Sequence, residues 1–331
     1  MSTESSQLSL HQARFDRASA LMAQRDFRAA ADILQELLTQ RPLLMPARFN
    51  LGLCQYMLGE YAEACPNLLA CYQAGDRSAG LLRVLISTQH HLGLVDEAVA
   101  IADQNPEPAR ADAGAAGVYA LLYLDAGLSA KAQQWAARTL KANPGSVDGM
   151  VVQATLRMAA MDTQGAQKQF EEVLLVAPAN ARAWIGIGTL ALLEQDFERA
   201  KTQLTRGVEL MPGHVGSWHI LGWTHLLSSD LQAAEAAFQR ALALDRNFAE
   251  THGGLASIAA LRGERAAAEQ AIDIALRLDK DSLAAKFAQS VLMGAAGNSQ
   301  AGRQLIRDTV MRLSPKDGGR LSRVIEGAVR R

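Results

Sequence analysis

The sequence repeats itself every 34 residues, and this period constrains the fold of the 331-residue chain more than any other feature. Nine units follow one another without insertion or deletion: 11–44, 45–78, 79–112, 113–146, 147–180, 181–214, 215–248, 249–282 and 283–316. Counted from the first residue of each unit, offset 20 is Ala30, Ala64, Ala98, Ala132, Ala166, Ala200, Ala234 and Ala268, with Gly302 in the last. Offset 8 is also small, as Ala18, Gly52, Ala120, Ala154, Gly188, Gly222, Ala256 and Ser290, with Ile86 the exception. Offset 24 carries bulk: Leu34, Leu68, Phe170, Leu204, Phe238, Ile272 and Ile306, with Ala in the third and fourth units. Small residues at two fixed places let paired helices approach to the close end of the usual interaxial range, about 8 to 10 Å.

Punctuation divides each unit into a helix, a tight turn and a second helix. Offset 15 is Gly59, Gly93, Gly127, Gly263 and Gly297, where a helix ends in the left-handed conformation that glycine tolerates best. Offset 16 is acidic in six units, as Asp26, Glu60, Asp162, Asp196, Asp230 and Glu264, which suits the exposed N–H groups at the start of a second helix. Pro42, Pro144, Pro178 and Pro212 at offset 32 close that helix. Composition agrees with helices packed through small side chains: Ala is abundant, aromatics are only 5 %, and 49 % apolar against 20 % charged residues excludes a disordered chain.

The unit 181–214, with Trp184, Ile187, Gly188, Phe197, Ala200, Leu204 and Pro212, resembles the tetratricopeptide repeat family, whose pattern places W at offset 4, L-G at 7 and 8, aromatics at 17 and 24, A at 20 and P at 32. The resemblance covers 306 of 331 residues; units 79–112 and 283–316 are worn. It implies an all-α, right-handed superhelical solenoid of helix-turn-helix repeats whose first helices line a concave groove for peptides, helices or loops of partner proteins. Residues 1–10 are expected to be a flexible N-terminus and 11–316 the repeats. Residues 317–331 are expected to form a C-terminal capping helix, with Leu321, Val324, Ile325, Ala328 and Val329 on one face and Arg320, Arg323, Arg330 and Arg331 around it. A basic docking helix is the alternative role for that tail. Asn105-Pro106-Glu107-Pro108 interrupts the second helix of the third unit, with Gly114 and Gly117 close behind, and marks 105–112 as a candidate joint. The other reading of this segment is a shortened helix without mobility.

In the family, groove-facing side chains come mainly from offsets 2, 5, 9, 12 and 13. Carried over residue by residue, these give the candidate partner-binding set Phe15, Phe49, Leu53, Tyr56, Arg83, His90, Leu121, Leu124, Val151, Thr155, Ile185, Thr189, His219 and Trp223. Ser257, Phe287 and Val291 follow at the same offsets in the last two units. The implied channel is mainly apolar and fits the apolar stripe of a helix or an extended apolar segment. Trp223 is its expected anchor, the other reading being that Trp223 and its apolar neighbours pack only against the adjacent unit. The two-carboxylate clamp of chaperone-binding relatives is not expected, because its places in the first three units hold Phe15, Ser19, Asn50, Gly80 and Val84, and only Asn50 agrees.

No catalytic constellation is legible. His219 and His225 are six residues apart, and the adjacent His90 and His91 cannot chelate as an i, i+4 pair. Gly253-Gly254 falls inside a first helix rather than a phosphate loop, and is read as a place where a ligand or neighbouring helix could come close. No cofactor or metal is expected, and the chain is read as a non-enzyme. A net charge of −1 and an apolar inner face argue against nucleic acid. Cys54, Cys65 and Cys71, odd in number and irregularly spaced, read as reduced thiols. MSTESSQLSL lacks a secretory pattern, and the longest apolar stretch, 184–193, is half of a membrane span. The expectation is therefore a cytoplasmic protein without membrane insertion.

Together these features read as a protein–protein interaction scaffold, adaptor or chaperone-like subunit that binds an apolar segment. An excess of Arg over Lys, 26 to 7, leans toward a bacterial source. Assembly of a secretion, pilus or envelope apparatus is then the family analogy. A regulatory subunit recruiting a separate glycosyltransferase or sulfotransferase is the alternative, and an RNA-binding helical repeat the third reading.

Overall fold

The computed structural model describes residues 2–313, so the expected capping helix lies outside the described residues. Among these residues the chain forms nineteen helices and no strand. It divides into two compact units between Leu156 and Arg157, and each is described by itself. The amino-terminal unit contains α1 (Ser2–Ala23), α2 (Phe27–Gln40), α3 (Met45–Met57), α4 (Tyr61–Gln73), α5 (Ala79–His91), α6 (Val95–Gln104), α7 (Pro106–Ala111), α8 (Ala113–Asp125) and α9 (Ser129–Ala142). The division falls inside α10 (Val147–Ala159). The carboxy-terminal unit continues with α11 (Thr163–Val176), α12 (Ala181–Leu193), α13 (Phe197–Leu210), α14 (Val215–Leu227), α15 (Leu231–Leu244), α16 (Ala249–Leu261), α17 (Arg265–Leu278), α18 (Leu283–Ala295) and α19 (Ser299–Leu313).

The 34-residue register survives in three dimensions. From α3 onward every first helix begins on the first residue of its unit, and every second helix begins at offset 17. α1 alone starts earlier, helical from Ser2. Offset 15 has positive φ in all nine units: 71° to 84° at the five glycines, and 61° to 67° at Arg25, Met161, Gln195 and Ser229. Of the acids at offset 16, Asp26, Asp162, Asp196 and Asp230 accept the backbone N–H three residues on. Glu60 and Glu264 make no such cap, their longer side chains being poor at closing that short ring.

Small and large offsets meet as their volumes require. Every alanine at offset 20 is fully buried. A Cβ on Gly52, Gly188 or Gly222 at offset 8 would lie 2.8 Å from Leu68, 2.7 Å from Leu204 or 2.6 Å from Phe238, the offset-24 residue of the same unit. The two phenylalanine plugs also reach the next unit. Phe170 lies 2.4 Å from the place of a Cβ on Gly186, and Phe238 lies 2.7 Å from one on Gly254.

At the Asn-Pro-Glu-Pro segment α6 stops at Gln104 after ten residues, and the six-residue α7 follows. The break is tied down: Tyr119 Oη donates to the Asn105 carbonyl at 2.9 Å, and Asn105 Nδ2 donates to Tyr72 Oη at 3.0 Å and Ile101 O at 2.8 Å. The division between compact units lies more than forty residues further on.

Candidate partner-binding faces

In the amino-terminal unit the first helices bring a mainly apolar set to one face. Phe15 packs against the α1–α3 core, while Phe49, Leu53, Tyr56, Leu121 and Leu124 pack against the larger core of α4 to α10. All six keep part of their surface exposed, as helical side chains do when they stand beside rather than within an interface. Tyr56 hydrogen-bonds Ser87, and burial raises its phenol pKa. It also borders an aromatic group at the turn, 5.6 Å from Tyr61 and 5.9 Å from His91, where Tyr61 and His91 stack at 4.3 Å.

Polar features interrupt this face at α5 and α8. His90 Nε2 lies 2.7 Å from Asp125 Oδ2, linking the two helices with both side chains largely covered. Arg83 is exposed and lies over Gly114, its Nη1 3.1 Å from where a Cβ would stand. Gly117, one turn on, is covered in the same way by Asp148. Val151, expected to line the groove, is only 1 % exposed and belongs to the core. Its short β-branched side chain does not reach past the neighbouring helices. Thr155 is half-buried and turns its hydroxyl back to the Val151 carbonyl at 2.9 Å.

The carboxy-terminal unit treats the same offsets differently. Ile185 wedges over Gly207 of α13, 2.5 Å from its missing Cβ, and Thr189 returns its hydroxyl to Ile185 O at 2.8 Å. His219 Nε2 accepts the indole N–H of Trp223 at 2.9 Å. Their rings join Phe238, Phe248 and Phe287: Trp223 stands edge-on to Phe287 at 5.2 Å and Phe238 at 6.1 Å, and His219 to Phe248 at 5.4 Å. Trp223, read as a groove anchor or as packing against the adjacent unit, is half-buried with its donor satisfied, and keeps part of its surface exposed. Burial without a nearby charge depresses the His219 pKa to about 4. A neutral imidazole with Nε2 as acceptor carries its proton on Nδ1, which is buried and unpartnered.

Glycines explain why Trp223 and Phe287 can meet. A Cβ on Gly253 would come within 2.4 Å of Ala285 N, so α18 lies directly on α16. Glu250 seals the junction, its carboxylate accepting the N–H groups of Leu283 and Ala284 at 2.8 and 2.9 Å. Ser257 is fully buried there, bonded to Gly253 O, and Phe287 is 2 % exposed. The Gly253-Gly254 pair therefore admits a neighbouring helix at one residue and the Phe238 ring at the other. The sequence signal that was missed is the glycine at offset 6 following each phenylalanine plug.

Among the described residues no cluster of three His, Cys, Asp or Glu is placed to hold a metal ion, and no helix is long and apolar enough to cross a membrane. The thiols of Cys54, Cys65 and Cys71 are free, and burial raises the pKa of each, that of Cys54 to about 11.

A tetratricopeptide repeat family model matches residues 15–79, 151–212 and 220–282, more than half of the chain. The chain belongs to the tetratricopeptide repeat family. Proteins of this family generally engage in protein–protein interaction and are typically non-catalytic. No curated protein matches the sequence significantly. Among solved structures, the APC/C hetero-tetramer Cut9–Hcn1 is similar over 84 % of this chain and 54 % of that one, with a TM-score of 0.62 at 14 % identity. This tetratricopeptide chain thus spans about half of that protein, and the likeness is one of fold. PilF of Pseudomonas aeruginosa matches at 20 % identity over 63 % of this chain and 94 % of its own, with a TM-score of 0.47. YrrB, described as a TPR protein with an unusual peptide-binding site, matches at 16 % identity over 56 % and 95 %, with a TM-score of 0.41.

Proposed function

We propose that this chain is a non-catalytic scaffold or adaptor, and that the first-helix face of its amino-terminal unit receives an apolar peptide or helix of a partner protein. The observation that carries the reading is a contrast between offsets. Alanines at offset 20 are sealed, whereas Phe15, Phe49, Leu53, Tyr56, Leu121 and Leu124 remain partly open on the first helices α1, α3 and α8. Side chains that stay apolar and accessible over several repeats supply pockets for alternate anchors of an incoming segment. Arg83 at the edge of α8 adds a polar limit to that surface.

The reading is tested by placing a photo-crosslinking residue at Leu53 and, separately, at the exposed Gln35 of the second helix α2, in the source cells. The expected result is a discrete protein adduct from Leu53 that is absent from Gln35 and lost when Leu121→Asp is added to a chain of unchanged helicity. Identical adducts from both positions, or an adduct indifferent to Leu121→Asp, would remove the proposal.

A further inference from the structure

The Asn-Pro-Glu-Pro break leaves more than a shortened helix. Most second helices here run 13 to 15 residues, but α6 has ten, and a cavity of about 190 Å³ lies beside the break, lined by residues of α6, α7, α8 and α9. Pro106 and Arg110 of α7 form one wall, and Lys131, Trp135 and Arg138 of α9 the other. Trp135, 8 % exposed and 5.1 Å from the Tyr119 ring, gives it a rigid aromatic surface.

Charge at this cavity does not cancel. Lys131 Nζ is held by Asp103 at 2.7 and 2.8 Å, and the same carboxylate accepts Tyr123 Oη at 2.7 Å, so this pair is neutral and satisfied. Arg110 pairs with Glu107. Arg138 is different: its Nε and Nη2 donate to the Arg110 carbonyl at 3.3 and 3.2 Å, a neutral acceptor, and it forms no ion pair among the described residues. The bond fixes the guanidinium plane and leaves Nη1 unused. A pinned guanidinium with no carboxylate partner, beside two neutralised ion pairs and an aromatic wall, favours a compact oxyanion joined to a small apolar body.

We propose that this cavity binds a small molecule through one oxyanion group, a phosphate or a carboxylate, with Arg138 as its principal donor. The site is built from α6, α7 and α9 with Tyr123 of α8, and it includes none of the side chains assigned to the apolar first-helix face, so it does not depend on that reading.

The test follows the four indole N–H resonances of the full chain, labelled at tryptophan, while inorganic phosphate or succinate is exchanged for chloride at constant ionic strength. A saturating shift of the Trp135 signal, with Trp184, Trp218 and Trp223 unmoved, is expected. Arg138→Gln should weaken it about tenfold or more, the worth of a lost charge-assisted hydrogen bond. Should Arg138→Gln lose helicity, Arg110→Gln on the exposed face of α7 takes its place, with a severalfold loss expected. Response to phosphate alone, to succinate alone or to both each supports the site and names its chemistry. No saturating Trp135 response to either anion up to ~100 mM, a drift shared by all four indoles as in general screening, or equal binding by helical Arg138→Gln would overturn it.

Discussion

Acidification from pH 7 to pH 5 should weaken the carboxy-terminal unit through His219. In the fold this imidazole faces the rings of Trp223, Phe238 and Phe248, with no charged group near enough to favour its protonation, and burial lowers its pKa from 6.5 to about 4. The unfolded chain takes up a proton at ordinary histidine pH while the folded chain refuses it. Stability is therefore complete above the unfolded pKa, falls as the pH drops through the interval, and levels off below the folded pKa. Linkage over that interval gives a loss of about 2 kcal/mol at pH 5 and about 3 kcal/mol once the folded state is also protonated. Protonation also removes the acceptor at Nε2, so the 2.9 Å bond from Trp223 is broken in the same step. His225 titrates in the same direction, lowered by burial against an opposing Asp230, so a comparison is needed to isolate His219. His219→Phe keeps an aromatic ring in the cluster and cannot titrate. It should cost about 1 kcal/mol at pH 7 for the orphaned indole N–H. Urea unfolding followed by far-ultraviolet circular dichroism at pH 7, 6 and 5 then reads both chains. The wild type should lose about 2 kcal/mol more than His219→Phe between pH 7 and pH 5. Parallel pH slopes for the two chains, or a His219 ring that titrates near 6.5 by NMR, would refute the reasoning.

The turns offer a second test: Met161→Gly and Ser229→Gly should each raise stability by about 0.5 to 1 kcal/mol, since a side chain at their φ of 61° and 67° is strained, and urea midpoints report it. Gly263→Ala, at φ 77°, should move the midpoint the other way by about 1 kcal/mol. Gly186→Leu should cost about 3 kcal/mol by driving into the Phe170 ring, and adding Phe170→Ala should recover part of that loss, a coupling that a double-mutant cycle measures directly. Asp230→Ala should cost about 1 kcal/mol by removing the cap on Ala233 N, whereas Glu264→Ala should change the unfolding midpoint little, having no cap bond to lose.

The parts of this fold written in local chemistry were legible in the sequence. Period, helix boundaries and turn position follow from glycine, acid and proline at fixed offsets, each acting within a few residues of itself. Even so, four non-glycine residues hold the left-handed turn as the glycines do. There the packing of two helices overrides a local preference of about 1 to 2 kcal/mol. The inner face was less legible, because an offset specifies a direction and not how closely the next helix approaches. Val151 and Trp223 occupy the same offsets as Phe49 and Leu53, yet the first is sealed and the second is drawn into an aromatic cluster.

What decides between an open and a closed face is glycine placement on first helices, read together with its neighbours. In α16 Gly253 lets α18 settle directly on the helix, and Gly254 receives Phe238, so the face there is consumed by packing. In α8 Gly114 and Gly117 also strip side chains from the inner offsets, but their neighbours contribute Arg83 and Asp148, whose polar ends do not seal an apolar contact. Arg83 stays exposed, and Leu121 and Leu124 further along α8 keep accessible surface. The same substitution in the repeat therefore closes one face and leaves the other as an apolar surface with a charged margin. This asymmetry is why the partner-binding proposal rests on the amino-terminal unit.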